Sequence, residues 1–403
     1  MKILIVDVYG SIHSTGKITT LQYQYFKSKG YDVKVCYRGI REPKIDSNDY
    51  IPIAGSIEPY VGFLISRITG YEGTFHPIAT KRLKKITLSF NPDVVQLNIL
   101  HGYYINSCDY IKFLKKKGYP ICYSMLDEYA YMGKCAFSFN CNKFMDVCGK
   151  CPERKTYPKS LFFDRSEFIQ EAKRKAYTGL DKIVFTGPEW IVKRSKQSSL
   201  LRDKECVVLD EPINFDKIFY PRETNKLRNK LNIPESNKIV VTVSQMSDPR
   251  KGGIYFYKVA EYLKEKTNIS FVYVGCDIEE PMRLPNLISI PFISSQDELA
   301  TYYSLGDLFV CTSLADSMPN VCLDAMGCGT PLAGFDAAGT PYVAPKEFGT
   351  FTPTYNIKAL AKTILSAPIK TKLSIKQCRD YAVGRYSTTV IFDKLEAIYK
   401  SII

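Results

Sequence analysis

The sequence has no apolar run of the length that a bilayer-spanning helix needs, about 20 residues. It also has no internal repeat and no low-complexity tract, which excludes solenoid and fibrous architectures. The opening stretch MKILIVDVYG has one lysine and a short apolar run, without the long apolar core of a secretory signal. We therefore expect a non-secreted protein without membrane spans, in which this stretch is a first buried strand.

The composition is that of a globular protein, with 45% apolar and 24% charged residues. A length of 403 residues suits two domains. The formal charge of +14 comes partly from lysine clusters at 111–119, 171–177 and 191–204. Such clusters are typical of solvated helix faces, but they also suit an anionic membrane surface, a phosphorylated substrate or nucleic acid. The thirteen cysteines, without a secretory signal, favour a reducing compartment.

Ten short runs rich in β-branched and aromatic residues alternate with helical patterns. They lie at 2–8, 32–38, 93–99, 120–126, 182–188, 238–244, 271–276, 287–293, 308–314 and 330–336. Near-continuous apolar strands that alternate with helices predict parallel sheets covered on both faces. We predict two doubly wound, Rossmann-like α/β domains, joined by a linker within 207–225, with ligands binding where strands end.

Two glycine-containing loops follow predicted strands. Gly10 and Gly16 flank a loop that leads into a helix, an arrangement that suits either a phosphate or a plain tight turn. The stretch SDPRKGG (247–253) places Arg250 and Lys251 just before a helix, where charge-assisted donors suit a diphosphate. A basic loop that merely starts a helix remains the alternative.

A third stretch, LADSMPNVCLDAMGCGTP (314–331), places Asp316 in a loop after a predicted strand and Asp324 in the following helix. Acids near a helix start also suit the helix dipole, which is a purely structural explanation. Carboxylates that converge on one pocket suit hydroxyl-rich ligands, because a carboxylate accepts two hydrogen bonds from a diol.

Four cysteines lie in one short segment, Cys135, Cys141, Cys148 and Cys151, with the spacing C-x5-C-x6-C-x2-C. Four thiolates in a cytosolic protein suit a structural, tetrahedral Zn²⁺ that would order this loop. Free thiols or two disulfides are the alternatives.

These motifs together resemble retaining, family 4 glycosyltransferases of bacterial surface-polysaccharide synthesis. The resemblance rests on 314–331, on RKG (250–252), on HGYY (101–104) and on CGKCP (148–152), and is nearest to colanic-acid, capsule and O-antigen transferases. It implies a GT-B fold, an α-configured product, a nucleotide-sugar donor such as a UDP- or GDP-sugar, and no catalytic metal. The absence of any Asp-x-Asp agrees with that expectation, since the other common transferase fold depends on a metal.

The resemblance also assigns roles on the donor side. It implies that Asp316 contacts the hydroxyls of the donor sugar and that Asp324 holds the ribose diol. Lys251, with Arg250, would neutralise the departing diphosphate. The segment 291–295, which includes Ile293, would pack its backbone against the base. The four residues after Asp316 would lie near sugar and phosphates, with backbone N–H groups offered by all of them except the proline, namely Ser317, Met318, Pro319 and Asn320.

On the acceptor side, His101 and Asp127 both follow predicted strands. A lone histidine is more often structural, but its place after a strand favours a site role, and Asp127 could act as a base or as an orienting group. Gln245 and Leu126 stand where relatives carry an arginine and a histidine. Gln96 and Asn98 stand where relatives carry two further histidines.

We therefore expect an acceptor-binding domain over 1–215, with a cysteine-rich insertion at about 130–155, and a nucleotide-sugar-binding domain over 216–386. The helix 387–403 is expected to pack on the first domain. The expected activity is sugar transfer to a lipid-linked oligosaccharide, by a cytoplasmic enzyme held peripherally at the anionic inner-membrane surface, with no nucleic acid involved. The alternatives are a catalytically impaired scaffold and a basic, zinc-knuckle protein that binds nucleic acid.

Overall fold

The alternation of apolar runs and helical segments builds two parallel sheets. The structure, a computed structural model, describes residues 1–39, 47–276 and 284–403. The chain divides into unit 1, formed by Met1–Glu211 with Ile391–Ile403, and unit 2, formed by Pro212–Val390. Within the described ranges, no helix combines the length and apolar character needed to cross a membrane.

Unit 1 contains a parallel sheet of seven described strands in the order β3-β2-β1-β4-β5-β6-β7. The strands are β1 (Lys2–Asp7), β2 (Asp32–Tyr37), β3 (Tyr50–Pro52), β4 (Val94–Leu97), β5 (Ile121–Ser124), β6 (Ile183–Gly187) and β7 (Cys206–Val208). The helices are α1 (His13–Ser28), α2 (Glu58–Thr69), α3 (Pro77–Phe90), α4 (Ser107–Lys117), α5 (Ser166–Tyr177) and α6 (Glu189–Ser195). The order reverses between β1 and β4, which makes a topological switch point there.

Unit 2 repeats the plan with six described strands in the order β10-β9-β8-β11-β12-β13. The strands are β8 (Lys238–Val243), β9 (Ile269–Val274), β10 (Leu287–Ile290), β11 (Leu308–Cys311), β12 (Leu332–Phe335) and β13 (Gly349–Thr352). The helices are α7 (Asn225–Lys230), α8 (Gly253–Tyr262), α9 (Gln296–Leu305), α10 (Asn320–Gly327), α11 (Ile357–Ser366) and α12 (Lys372–Tyr386). Its switch point lies between β8 and β11.

Both sheets are covered on both faces, which is why their strands are almost wholly apolar. In β1, Leu4 and Val6 join the apolar cluster on one face of the sheet, while Ile3 and Ile5 join the cluster on the other. The last helix, α13 (Thr388–Ile402), adds Phe392 to that second cluster. The predicted α/β fold with two parallel sheets is confirmed.

Each of the ten predicted apolar runs overlaps a strand, and the predicted helix start at Ser295 is also present. The Ser295 side chain accepts a hydrogen bond from the backbone N–H of Glu298. The three strands that the pattern did not indicate, β3, β7 and β13, all lie at sheet edges and have only three or four residues. An edge strand has one ladder partner and can be short, so it leaves little apolar signal.

Candidate active site

A cavity of about 220 Å³ lies at the switch point of unit 2. Its walls come from the carboxyl ends of β8 and β11 and from the segment after β10, including Gln245, Ser313 and Ile293. Lys251 also lines it. This is the place where a doubly wound sheet binds ligands, because the loops on either side of the switch point diverge and leave a crevice.

Lys251 and Asp316 form an ion pair at this cavity. The Lys251 Nζ lies 2.5 Å from the Asp316 Oδ2, and the two side chains are 35% and 14% exposed. The nearby carboxylate of Asp316 raises the pKa of Lys251 against the opposing effect of burial. The site therefore holds a permanent cation beside a carboxylate that can accept hydrogen bonds from hydroxyl groups.

Gly252 allows the turn that carries Lys251 to pack closely against the chain at the end of β11. Gly252 has a φ of +63°, and a Cβ there would lie 2.0 Å from the carbonyl oxygen of Thr312. The Leu314 N–H donates to the carbonyl of Arg250 at 2.7 Å, which ties the turn to the chain after β11. Only glycine fits this approach, so the spacing of Lys251 from the loop of Asp316 is set by backbone contacts.

The loop that carries Asp316 is held in a similar way. A Cβ at Gly339 would lie 1.7 Å from the carbonyl oxygen of Ser317, and the Gly339 N–H donates to the carbonyl of Asp316 at 2.9 Å. Ser317 and Met318 are buried beside it. The acid is thus presented by a rigid loop, as a preorganised site requires.

Arg250, Pro319 and Asn320 were also predicted to contact the donor. The Arg250 side chain bonds both carboxylate oxygens of Asp248, at 3.2 and 2.6 Å. Pro319 is the N-cap of α10 and Asn320 is its first residue. The Asn320 Oδ1 atom is buried and accepts no hydrogen bond from any residue that the structure describes.

Asp324 lies in the second turn of α10. It is half-buried, and burial of Tyr303 together with the nearby charge of Asp324 raises the pKa of that tyrosine. Val321, three positions earlier, lines the cavity. Residues three apart share a helix face, so Asp324 continues the face that borders the cavity.

Gly16 lies in the first turn of α1, in unit 1. A Cβ there would approach the backbone of Ser11 at 2.9 Å and the Cβ of Tyr9 at 3.0 Å. This close approach gives Gly16 a packing function between the helix and its preceding loop.

A second polar cluster lies in unit 1, where β4 and β5 end side by side. The His101 Nε2 lies 2.5 Å from the Asp127 Oδ2, and its Nδ1 lies 3.0 Å from the hydroxyl of Tyr157. Burial lowers the pKa of His101, but the charges of Asp127 and Glu72 outweigh it and the net pKa is raised. Asp127, His101 and Tyr157 thus form a hydrogen-bonded chain of groups that can share protons. The chain ends at the half-exposed ring of Tyr157.

The His101 cluster does not include Leu126, Gln96 or Asn98. Leu126 packs on the apolar core of unit 1. The Asn98 Nδ2 donates to Thr19 at 2.9 Å and to Gln22 at 3.0 Å, and its Oδ1 accepts from the Gln96 Nε2 at 2.9 Å. The two amides that stand in place of histidines therefore form a buried network between strands and α1.

The four loop cysteines line one small cavity of about 20 Å³. A hydrogen bond with Cys135 lowers the pKa of Cys151 to about 7, while burial raises the pKa of Cys148 to about 11. Across the described residues, however, no group of three or more His, Cys, Asp and Glu side chains is arranged to hold a metal ion. All thirteen cysteines are free thiols, so the disulfide alternative is not observed.

Residues 237–367, which carry the whole Lys251–Asp316 site, match the family model described as glycosyl transferases group 1. This segment of unit 2 is similar to group 1 glycosyltransferases. The predicted family resemblance is thereby confirmed for this domain.

Comparison of the whole chain with known proteins extends the similarity beyond this segment. An Escherichia coli K12 protein named as a colanic acid biosynthesis glycosyl transferase is 21% identical over 66% of this chain and 65% of its own length. A Campylobacter jejuni protein, N,N'-diacetylbacillosaminyl-diphospho-undecaprenol alpha-1,3-N-acetylgalactosaminyltransferase, is 25% identical over 51% of this chain and 56% of its own length. The matches thus span less than two thirds of either relative.

The fold is shared over the whole chain. Sucrose-phosphate synthase from Thermosynechococcus elongatus superposes with a TM-score of 0.69 at 16% identity, over 100% of this chain and 98% of that one. Anabaena HepE in complex with UDP-glucose superposes with a TM-score of 0.65 at 14% identity, over 100% of both chains. The chain has the GT-B fold.

Two residues of these sites were not identified from the sequence, and the side chain of a third, Phe292, was not singled out within the predicted segment 291–295. Phe292 lines the cavity of unit 2 and is 67% exposed. Tyr157 and Glu72 lie in loops far from His101 in sequence, and Glu72 is 2% exposed. No local pattern marks such residues, because only the fold brings them to His101.

Proposed function

We propose that this protein is a retaining glycosyltransferase that moves a sugar from a UDP- or GDP-sugar to a lipid-linked saccharide in surface-polysaccharide synthesis. The observation that carries the proposal is the Lys251–Asp316 pair at the switch-point cavity, inside the segment that matches the glycosyltransferase family. The Campylobacter relative is named for a diphospho-undecaprenol substrate, which supports the lipid-linked acceptor.

On the donor side, Lys251 neutralises the diphosphate as the glycosyl bond breaks, since negative charge grows on the leaving group. Arg250 assists once it exchanges Asp248 for a phosphate. Asp316 accepts hydrogen bonds from the sugar hydroxyls, and Asp324 accepts those of the ribose. The base lies against Ile293 and Phe292, where the exposed ring offers a stacking surface.

On the acceptor side, we assign His101 and Asp127 to positioning the attacking hydroxyl. Asp127 fixes the orientation of the imidazole through its 2.5 Å contact. A retaining transfer does not require a strongly basic residue of the protein. Attachment to the anionic inner leaflet from the cytoplasm follows from the basic charge and from the lipid-linked acceptor.

The cysteine loop is proposed to hold a structural Zn²⁺. Thiolates are ligands that zinc prefers, and the four thiols line one cavity, but they are not arranged as a metal site in the described structure, so zinc binding requires the loop to close around the ion. Metal analysis of protein purified under reducing conditions should then find close to one equivalent of zinc, and Cys141→Ser should reduce it. A stable protein without metal would leave these residues as free thiols.

Thermal unfolding with a panel of UDP, GDP and their sugar conjugates tests the donor. One nucleotide series should stabilise the protein, by about 2.7 kcal/mol at a hundred times the dissociation constant. Mass spectrometry with a saccharide-diphospholipid acceptor should then show one added sugar. Absence of any stabilisation, together with salt-sensitive RNA or DNA binding, would favour the nucleic-acid alternative. Donor binding without transfer would favour the impaired scaffold; the comparisons support neither alternative.

A further inference from the structure

Eight basic side chains and one acid lie on two helices of unit 1, α3 and α4. The basic residues are Lys81, Arg82, Lys84 and Lys85 in α3 and Lys112, Lys115, Lys116 and Lys117 in α4, and the acid is Asp109. These two helices therefore carry a net charge of +7, against a formal charge of +14 for the whole chain. We call their solvent-facing side the basic surface.

The two helices pack side by side, so their basic side chains share one surface. The Nζ of Lys84 in α3 lies 2.7 Å from the Oδ2 of Asp109 and 5.6 Å from the ring of Phe113, and both partners belong to α4. Residues three or four positions apart are neighbours on a helix. Lys81 therefore lies beside Lys84 on one side of this contact, and Lys112 lies beside Asp109 on the other.

Most of the cations on the basic surface are not bonded within the protein. Lys84 is paired with Asp109, and the Nζ of Lys115 donates to the carbonyl of Thr178 at 2.8 Å. The side chains of the other six form no hydrogen bond or ion pair with any residue that the structure describes, and all six are exposed: Lys81, Arg82, Lys85, Lys112, Lys116 and Lys117. They are available to an anionic partner.

The other two lysine clusters of the sequence are bonded within the fold. In 171–177, Lys173 is buried and donates to the carbonyl of Met132 at 3.0 Å. In 191–204, the Nε of Arg194 lies 3.1 Å from the Oε1 of the buried Glu128. The remaining cations of 191–204 each bond to a carboxylate or a backbone carbonyl, namely Lys193, Lys196, Arg202 and Lys204. Tertiary structure thus separates the basic surface from these two clusters.

The acids around the basic surface do not cancel its charge. Lys2 and Lys34 lie over the ring of Phe90, the last residue of α3, at 5.7 and 4.9 Å. Helix α5, which packs on α4, carries three cations and two acids. These five cations match in number five acids of the same neighbouring segments, namely Asp32, Glu58, Asp93, Glu167 and Glu171. The neighbourhood therefore leaves the positive charge of α3 and α4 in place.

The basic surface also exposes aliphatic groups. Ile78 and Leu88 are 71% and 49% exposed. Ile78, Lys81, Lys85 and Leu88 follow one another at spacings of three or four residues, so they lie on one face of α3. An anionic bilayer suits this mixture, because headgroup phosphates bind the ammonium groups while aliphatic side chains and lysine stems enter the acyl boundary. Single-stranded nucleic acid is bound largely by charge and by aromatic stacking, which aliphatic groups do not supply.

We propose that the basic surface on α3 and α4 binds unit 1 to an anionic lipid bilayer. The six unbonded cations contact lipid phosphates, and Ile78 and Leu88 enter the boundary between headgroups and acyl chains. The use of this contact to reach a lipid-linked acceptor rests on the proposed function, whereas binding to the bilayer can be tested by itself.

The test is co-sedimentation with vesicles of phosphatidylcholine alone and of phosphatidylcholine with phosphatidylglycerol. The protein should bind the second kind and lose that binding as salt is raised, because salt screens exposed charges. The triple variant Lys85→Gln/Lys112→Gln/Lys116→Gln should bind anionic vesicles about tenfold less or weaker still, because each lysine near an anionic surface contributes to binding. Leu88→Asn should also lower vesicle binding, although it leaves the charge unchanged.

The matched control is Lys226→Gln/Lys264→Gln/Lys362→Gln, which removes three exposed lysines of unit 2 and the same total charge. It should bind vesicles like the original protein. Equal vesicle binding by the two triple variants would overturn the proposal, because total charge rather than this surface would then decide binding. Equal binding to vesicles without phosphatidylglycerol would overturn it as well.

Two further measurements separate the remaining outcomes. Both triple variants should keep the thermal stability and the nucleotide-dependent stabilisation of the original protein, which shows that they are folded. RNA binding that the first triple variant loses, without vesicle binding by the original protein, would overturn the proposal in favour of a nucleic-acid surface. Surface-dependent vesicle binding by a protein that binds no nucleotide sugar would refute the proposed function and leave the bilayer contact intact.

Discussion

The Lys251–Asp316 pair predicts opposite effects of two substitutions on nucleotide binding. Lys251→Met removes the cation and keeps most of the side-chain volume. Asp316→Asn removes the carboxylate that now lies 2.5 Å from the Lys251 Nζ, and it leaves the cation without a competing partner. If Lys251 serves the diphosphate and Asp316 the sugar, the two variants must differ in which part of the donor they affect.

The expected sizes follow from the chemistry of the pair. A hydrogen bond to a charged group contributes about 1.5–3 kcal/mol, and the exposure of Lys251 places its loss toward the lower end. Lys251→Met should weaken UDP or GDP and the corresponding nucleotide sugar alike, by about tenfold, since 1.4 kcal/mol is one factor of ten. Asp316→Asn should leave the bare nucleotide as tight or tighter, and should lower sugar-donor affinity and turnover.

Isothermal titration calorimetry with the bare nucleotide and its sugar conjugate measures both effects, and donor hydrolysis reports turnover. Lys258→Met is the matched control, because this exposed lysine lies in α8, the helix that follows the turn of Lys251, and carries the same charge. If Lys251→Met binds the nucleotide as tightly as Lys258→Met does, the phosphate role of Lys251 is wrong. If Asp316→Asn weakens the bare nucleotide as much as the sugar donor, Asp316 does not act on the sugar.

The buried polar groups of unit 1 make three further predictions. Asn98→Ala should lower the free energy of unfolding, measured in urea, by about 3 kcal/mol, because the buried partners of Asn98 lose hydrogen bonds that water cannot replace. A decrease below about 0.5 kcal/mol would contradict a stabilising role of this hydrogen-bond network. Burial raises the pKa of Asp7 to about 6, so its contribution to stability is complete below its unfolded pKa and lost as the pH rises through about 6. Asp7→Asn should therefore gain stability relative to the original protein as the pH rises from 4 to 7, and a parallel pH dependence would refute this. His101, whose pKa is raised, contributes most below its unfolded pKa of about 6.5. The stability lost in His101→Gln should accordingly shrink as the pH rises through the raised value, and a constant difference would show that the Asp127 contact is not ionic.

The fold class was predictable because its signal is local. A strand buried on both faces must be apolar along its length, so runs such as 238–244 predict a doubly wound sheet. Three of the four edge strands, β3, β7 and β13, gave no such signal. Loops after strands could also be recognised, and together with the family resemblance they led to Lys251, Asp316, His101 and Asp127 as predicted site residues.

Which of these residues meet could not be read from the sequence. Lys251 and Asp316 are 65 positions apart, and their contact depends on the turn at Gly252 lying against the carbonyl of Thr312. Gln96 and Asn98 also lie at a strand end, yet their side chains turn inward to a hydrogen-bond network. A strand end marks a position, and the neighbouring elements decide whether its side chain faces the cavity or the core.

The sequence by itself determined two parallel sheets, a basic glycine turn before α8 and two acids around α10. Tertiary structure decided the pairing of Lys251 with Asp316, the relay from Asp127 through His101 to Tyr157, and the outward face of α2. The physical reason is that propensity and periodicity act over a few residues, whereas burial is set by what packs against each face. Helix α2 shows this directly, because His76 leaves no room for a side chain at Gly62, while Leu64 two positions later is 56% exposed.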